Sequence, residues 1–144
     1  HHITAPAPGG TGAAACMALA LEDAGLSPAD IASINAHGTS TPLNDAAESA
    51  AIGAVFGDGT VPVTSTKGVT GHLVGAAGAV EAIAALFTAR HATVPPTANH
   101  ERRGEEISAE VVADGPRTTG HGPVLSNSFG FGGHNATLII GAPS

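Results

Sequence analysis

The chain has 144 residues, five Lys plus Arg against twelve Asp plus Glu for a formal charge of −7, and only 12% charged residues. That is enough chain for one domain around one core, and its sparse negative charge argues against a reader of the nucleic-acid backbone. Hydrophobic residues reach 42% with aromatics at 3% and 20 glycines, so the core must come from Ala, Val, Ile and Leu at close spacing, and neither a disordered chain nor a disulfide scaffold fits.

Cys16 stands alone, which suits a reducing, cytoplasmic setting. The longest apolar run, Gly12 to Leu21, ends at Glu22 after ten residues, too short to span a bilayer, so no membrane partner is expected. The start at His1 rather than Met points to a fragment, a cleaved product or a trimmed chain.

After the Pro/Gly-rich entry, Thr11 to Ala24 predicts a helix with Cys16, Leu19 and Ala20 on its apolar stripe and Gly25 as its stop. Cys16 lies mid-stripe, away from any Gly-rich turn, and is expected to be a small buried hydrophobe rather than a nucleophile. Ser27 to Asp30 reads as a turn, followed by a short strand over Ile31 to Asn35 that leaves His37 just past its end. A loop from His37 to Leu43 leads to Asn44 as N-cap and a helix from Asp45 to Phe56, with Asp45 and Glu48 near its positive end.

A second strand over Val61 to Thr64 is followed by a small-residue loop, Ser65 to Leu73, and an Ala-rich helix from about Gly75 to Arg90. Pro95-Pro96 breaks the chain, and Glu101 to Glu110 reads as solvated irregular structure. Val124 to Ser128 and Ala136 to Ile140 predict two late strands joined by the Gly-rich loop Phe129 to Asn135. The order α, β, α, β, α, β, β implies an α/β fold with a helix-covered sheet, whose ligands sit at strand ends.

Two strand-end loops each hold a histidine among small residues: His37-Gly38-Thr39-Ser40-Thr41-Pro42 and Lys67-Gly68-Val69-Thr70-Gly71-His72. One such histidine is more often a hydrogen-bonded structural group; two in equivalent positions favour a site. Lys67 is the single lysine, and Glu81 is the single carboxylate between Gly68 and Ala89. A carboxylate buried on so apolar a helix needs a partner, so Lys67 and Glu81 are expected to pair; the alternative is a Glu81 that faces water.

The run Asn127 to Asn135 offers backbone N–H groups to a developing negative charge, or forms a tight hairpin; spacing alone does not choose. No dinucleotide fingerprint, H-E-x-x-H, cysteine pair or G-x-S-x-G elbow appears, so neither a nucleotide, a metal nor a serine nucleophile is expected.

At these residues the chain resembles the C-terminal half of elongating, type II beta-ketoacyl-acyl-carrier-protein synthases. Asn35-Ala36-His37-Gly38-Thr39-Ser40-Thr41-Pro42, the stretch Lys67 to Gly78, and Phe129-Gly130-Phe131-Gly132-Gly133 are three motifs in the family's order. The likeness runs from His1 to about Gly141 and casts residues 1–144 as one C-terminal domain. It implies half of a thiolase-like fold, the layered α/β/α/β/α arrangement made from two similar halves.

In that family the nucleophilic cysteine lies in the first half, so the resemblance implies a partner N-terminal half, a chain inactive by itself and, for the complete enzyme, a homodimer. It further implies a decarboxylative condensation of malonyl carrier protein with an enzyme-bound acyl thioester in fatty acid elongation. The phosphopantetheine is carried by the acyl carrier protein, with no cofactor bound directly.

By the same resemblance His37 and His72 donate hydrogen bonds to the enolate oxygen, Lys67 orients the site with Glu81 in support, and Phe131 gives an oxyanion N–H and a gating ring. Thr39 and Thr41 hold the pantetheine amides, with Phe129, Gly130 and Gly132 lining the substrate. A polyketide ketosynthase fragment, or a noncatalytic partner of the chain-length type, is the alternative.

Overall fold

A computed structural model describes residues 1–142. Its central sheet has five strands: β1 (Ser33–Asn35), β2 (Pro62–Thr64), β4 (Glu110–Val111), β6 (Val124–Phe129) and β7 (Asn135–Ile140). They lie in the order β4-β2-β1-β6-β7. The first four are parallel, and only β7 runs against its neighbour, with Asn127 opposite Thr137. β3 (Thr93–Val94) and β5 (Arg117–Thr118) form a separate antiparallel pair.

Helices cover both sheet faces. α1 (Thr11–Ala24) and α2 (Pro42–Phe56) bring Met17, Leu21, Ala51 and Ile52 onto Ile34, Val63 and Leu125. On the other face α4 (Ala77–His91) lays Ala85 and Ala89 against Val124. Successive residues of β6 thus point to opposite helical layers, and both Val124 and Leu125 are buried, as a strand buried on both sides requires. Small residues permit the close approach of α2: Gly10, at φ +66°, sits where a Cβ would collide with the Ala47 carbonyl. None of the described helices is long and apolar enough to cross a membrane.

Several boundaries differ from those expected of the sequence. α2 begins at Pro42 with Thr41 as N-cap, not at Asp45 behind Asn44, because proline's fixed φ suits the first helical turn. β1 is trimmed to Ser33–Asn35, and the expected Ser65 to Leu73 loop contains a one-turn helix, α3 (Lys67–Thr70). α4 starts two residues late behind a 3₁₀ turn at Val74–Ala76 and extends to His91. Glu110 ends the irregular stretch by entering β4.

The apolar stripe on α1 also moves. Met17 and Leu21 are buried, Cys16 is half-buried and Leu19 is 65% exposed. Apolar residues surround this helix on every side, so spacing alone selects no face.

Candidate active site

Parallel strands deliver their C-terminal ends to one edge of the sheet, and the candidate residues gather there. His37 follows β1 by two residues, its neighbour Ala36 still donating to the Thr64 carbonyl at 2.8 Å. Lys67 opens α3 just past β2, and Phe129 is the last residue of β6. The His37 and His72 rings meet edge to face, with centroids 5.6 Å apart and planes at 85°. Phe129 also packs on His37, with ring centroids 5.9 Å apart and planes at 57°.

His37 is buried while His72 is exposed. Burial first, then the nearby Lys67 and His72, pull the His37 pKa down from 6.5 to about 4. The ring is therefore a neutral imidazole at physiological pH. The His72 tautomer is fixed by a backbone donor: Val74 N–H donates to His72 Nδ1 at 3.1 Å, so the neutral ring carries its proton on Nε2. Val74 makes that contact from φ +51°, a strained conformation for a β-branched residue.

Lys67 and Glu81 do pair. Nζ lies 2.5 Å from Oε1, and both side chains are buried. Thr39 Oγ1 and Thr41 Oγ1 lie 2.9 Å apart on the same loop. Phe131, 73% exposed, stands on a 3₁₀ turn whose neighbours are held by Gly130 N–H to the His134 carbonyl and Gly132 N–H to the Ile3 carbonyl, each at 2.8 Å. That turn lies within the β6–β7 hairpin, whose last pair sets Phe129 opposite Asn135.

Sequence reasoning gave Glu48 only a place near a helix start. In the fold its carboxylate is buried behind the His37 loop. It accepts His37 N–H on Oε1 and Gly38 N–H on Oε2, each at 2.9 Å. Asn127 Nδ2 adds a donor to Oε1 at 3.1 Å and Asn44 Nδ2 one to Oε2 at 3.4 Å. Burial raises the Glu48 pKa, and these N–H groups hold the rise back. The available signal was a carboxylate at an otherwise apolar helix position; what it faces depends on how α2 packs.

Gly38, at φ +42°, leaves no room for a Cβ against Ser65, whose hydroxyl donates to the Gly38 carbonyl at 2.9 Å. The two strand-end loops thereby lock together. A cavity of about 330 Å³ lies behind them, lined by Thr39, Ser65 and Lys67 but by neither imidazole. Two imidazoles 5.6 Å apart, with Lys67 near enough to lower the His37 pKa, make a cluster of the kind of donors that can meet an oxygen gaining charge.

Residues 1–101 match the family described as beta-ketoacyl synthase, C-terminal domain. A curated relative, 3-oxoacyl-acyl-carrier-protein synthase 2 of Synechocystis sp., is 47% identical over 97% of this chain and 34% of its own length. The chain therefore spans about a third of that relative. Among solved structures, the ishigamide ketosynthase/chain length factor superposes with TM-score 0.93 at 40% identity, over 99% of this chain and 35% of that one. The ketosynthase complex AntDE:AntF, a type II polyketide synthase acyl-carrier protein with its ketosynthase bound to the hexaketide, gives TM-score 0.94 at 32% identity, over 100% of this chain and 36% of that one.

Proposed function

The chain belongs to the beta-ketoacyl synthase family, whose C-terminal domain it matches, and from that membership we propose that residues 1–144 are the C-terminal domain of an elongating 3-oxoacyl-acyl-carrier-protein synthase, thiolase-like in fold. The complete protein, read as a cytoplasmic homodimer, joins this half to an N-terminal half that brings the nucleophilic cysteine. The carrying observation is the 5.6 Å approach of the His37 and His72 rings at the strand ends.

In this reading an acyl chain is held as a thioester on that cysteine, and malonyl carrier protein presents its substrate on a phosphopantetheine arm. The malonyl C–C bond to the carboxylate breaks, CO₂ leaves, and the electron pair moves onto the thioester oxygen as an enolate. Nε2–H of His72 and the neutral His37 donate to that oxygen as its charge develops. The carbanion then attacks the acyl carbonyl; the new C–C bond forms, the C–S bond breaks and the cysteine leaves as thiolate.

Lys67, fixed by Glu81, supplies a positive field beside His37. Phe131 N–H helps hold the tetrahedral oxygen, and its exposed ring gates the acyl pocket. Phe129, Gly130 and Gly132 line the substrate, and the Thr39 and Thr41 hydroxyls meet the pantetheine amides. Support for a carrier-protein partner comes from AntDE:AntF, in which an acyl-carrier protein is bound to its ketosynthase. The test is malonyl-carrier-protein-dependent formation of 3-oxoacyl product by the complete protein. His37→Ala and His72→Ala are expected to abolish it, and undiminished product in both would reject the assignment.

A further inference from the structure

Behind the His37 loop, a row of polar side chains crosses the core from the outermost strand. Thr137 on β7 stands opposite Asn127 on β6, and Thr137 Oγ1 donates to Asn127 Oδ1 at 2.9 Å. Asn127 is fully buried, and its Nδ2 reaches Glu48 Oε1 at 3.1 Å with Met17 Sδ at 3.4 Å. Glu48 in turn holds His37 N–H and Gly38 N–H. A hydroxyl, an amide and a carboxylate thus form one relay that ends on the backbone of the histidine loop.

Its direction is set at the carboxylate. An amide side chain can be turned either way and a hydroxyl can donate or accept, so the accepting oxygen of Glu48 selects the NH₂ end, and the Thr137 hydroxyl satisfies the Oδ1 that this leaves facing β7. With Oδ1 held by Thr137, the NH₂ group points at the carboxylate. Turned over, the amide would set carbonyl oxygen against carboxylate oxygen in a site from which water is excluded. Either the carboxylate would shift off the two backbone N–H groups or it would take up a proton, and both change the seat of His37.

We propose that Thr137 and Asn127 are positioning residues for His37, holding Glu48 in the orientation that fixes the His37–Gly38 backbone. The catalytic consequence rests on His37 acting as a donor at the reacting oxygen. Neither residue touches substrate in this arrangement; both act through Glu48. A misplacement of about 1 Å at a donor can cost on the order of a hundredfold in rate, so a remote hydroxyl is able to matter.

The experiment uses the complete protein carrying Thr137→Val, Thr137→Ser or Asn127→Leu, assayed well below its melting temperature. Thr137→Val, which keeps shape and loses the hydroxyl, is expected to lower kcat for malonyl-carrier-protein decarboxylation at least about tenfold at unchanged KM. Thr137→Ser restores it to within about twofold, and Asn127→Leu matches or exceeds the loss in Thr137→Val. In ¹⁵N spectra, Thr137→Val moves the His37 imidazole resonances and leaves those of His72 in place.

A Thr137→Val protein with a lower melting temperature but unchanged kcat and His37 resonances overturns the proposal. If the wild type does not decarboxylate malonyl carrier protein, the functional reading fails instead, and the His37 resonances still decide whether the relay positions the ring.

Discussion

Nζ of Lys67 lies 2.5 Å from Oε1 of Glu81, fourteen residues further on, so that the first turn after β2 is pinned to the second turn of α4. Both groups are buried, and each is tolerated there only because of the other. Glu81→Ala in the complete protein is expected to cost about 3–5 kcal/mol of unfolding free energy by leaving a buried ammonium uncompensated. Replacing both residues, as Lys67→Met with Glu81→Leu, should recover most of that stability yet leave the protein inactive. Denaturant unfolding and the condensation assay on the same samples separate the two effects. A double variant as unstable as the single one would show that the pair is not the cause.

His37 gives a pH dependence of defined sign. The unfolded chain takes up a proton at this ring as pH falls through 6.5, whereas the folded chain does so only near pH 4. Between those values the unfolded state binds more protons, so stability drops as pH is lowered; its full contribution is present above 6.5 and no more is lost below about 4. The size is roughly 3 kcal/mol. Unfolding free energies at pH 7.5 and 4.5 should therefore differ less in His37→Gln than in the wild type. The His37 ring should show no titration in NMR above about pH 5, and a midpoint near 6.5 would refute the burial argument.

The residues that the sequence disclosed are those whose chemistry demanded a partner or a stop. Gly25 ends α1 in the left-handed conformation, and Lys67 is matched to Glu81 because Glu81 is the single carboxylate between Gly68 and Ala89, on an apolar helix where it needs a partner. Pro42 reads as a loop residue in the sequence because proline marks both loops and first helical turns, and only packing decides between them. The two-residue strands β3 and β5 are too short to show alternation. Glu48 is hidden for a different reason: apart from Asn44 one turn earlier, its donors come from the β1 end and from β6, and no local pattern links residues that far apart.

Val74 carries strain that the His72 tautomer uses. At φ +51° a β-branched side chain costs about 1–3 kcal/mol, and its N–H is what holds His72 Nδ1. Val74→Asn relieves strain while keeping the amide in place, so it should raise stability by about 1 kcal/mol and preserve turnover. Val74→Gly relieves the same strain but frees the loop, and turnover is expected to fall several-fold. Melting curves paired with kcat for the two variants test this. Lower stability in both would mean the backbone is not strained there.

α4 presents a second apolar face, away from its own sheet. Ile83 and Phe87, one turn apart, are 58% and 56% exposed, and Phe87 stacks on His91 with centroids 6.2 Å apart. Leu138 on β7 adds a third exposed side chain, at 51%. Burying an Ile or Phe is worth about 1.5–3 kcal/mol each, so this face should be covered by the N-terminal half in the complete protein and should drive self-association when the chain stands alone. One double substitution, Ile83→Glu with Phe87→Glu, must then act in opposite directions. It should shift the isolated chain toward monomer in sedimentation, and it should destabilise the complete protein by several kcal/mol. An isolated wild-type chain that sediments as a monomer and melts cooperatively, or a complete protein indifferent to both glutamates, would mean that α4 faces water on this side.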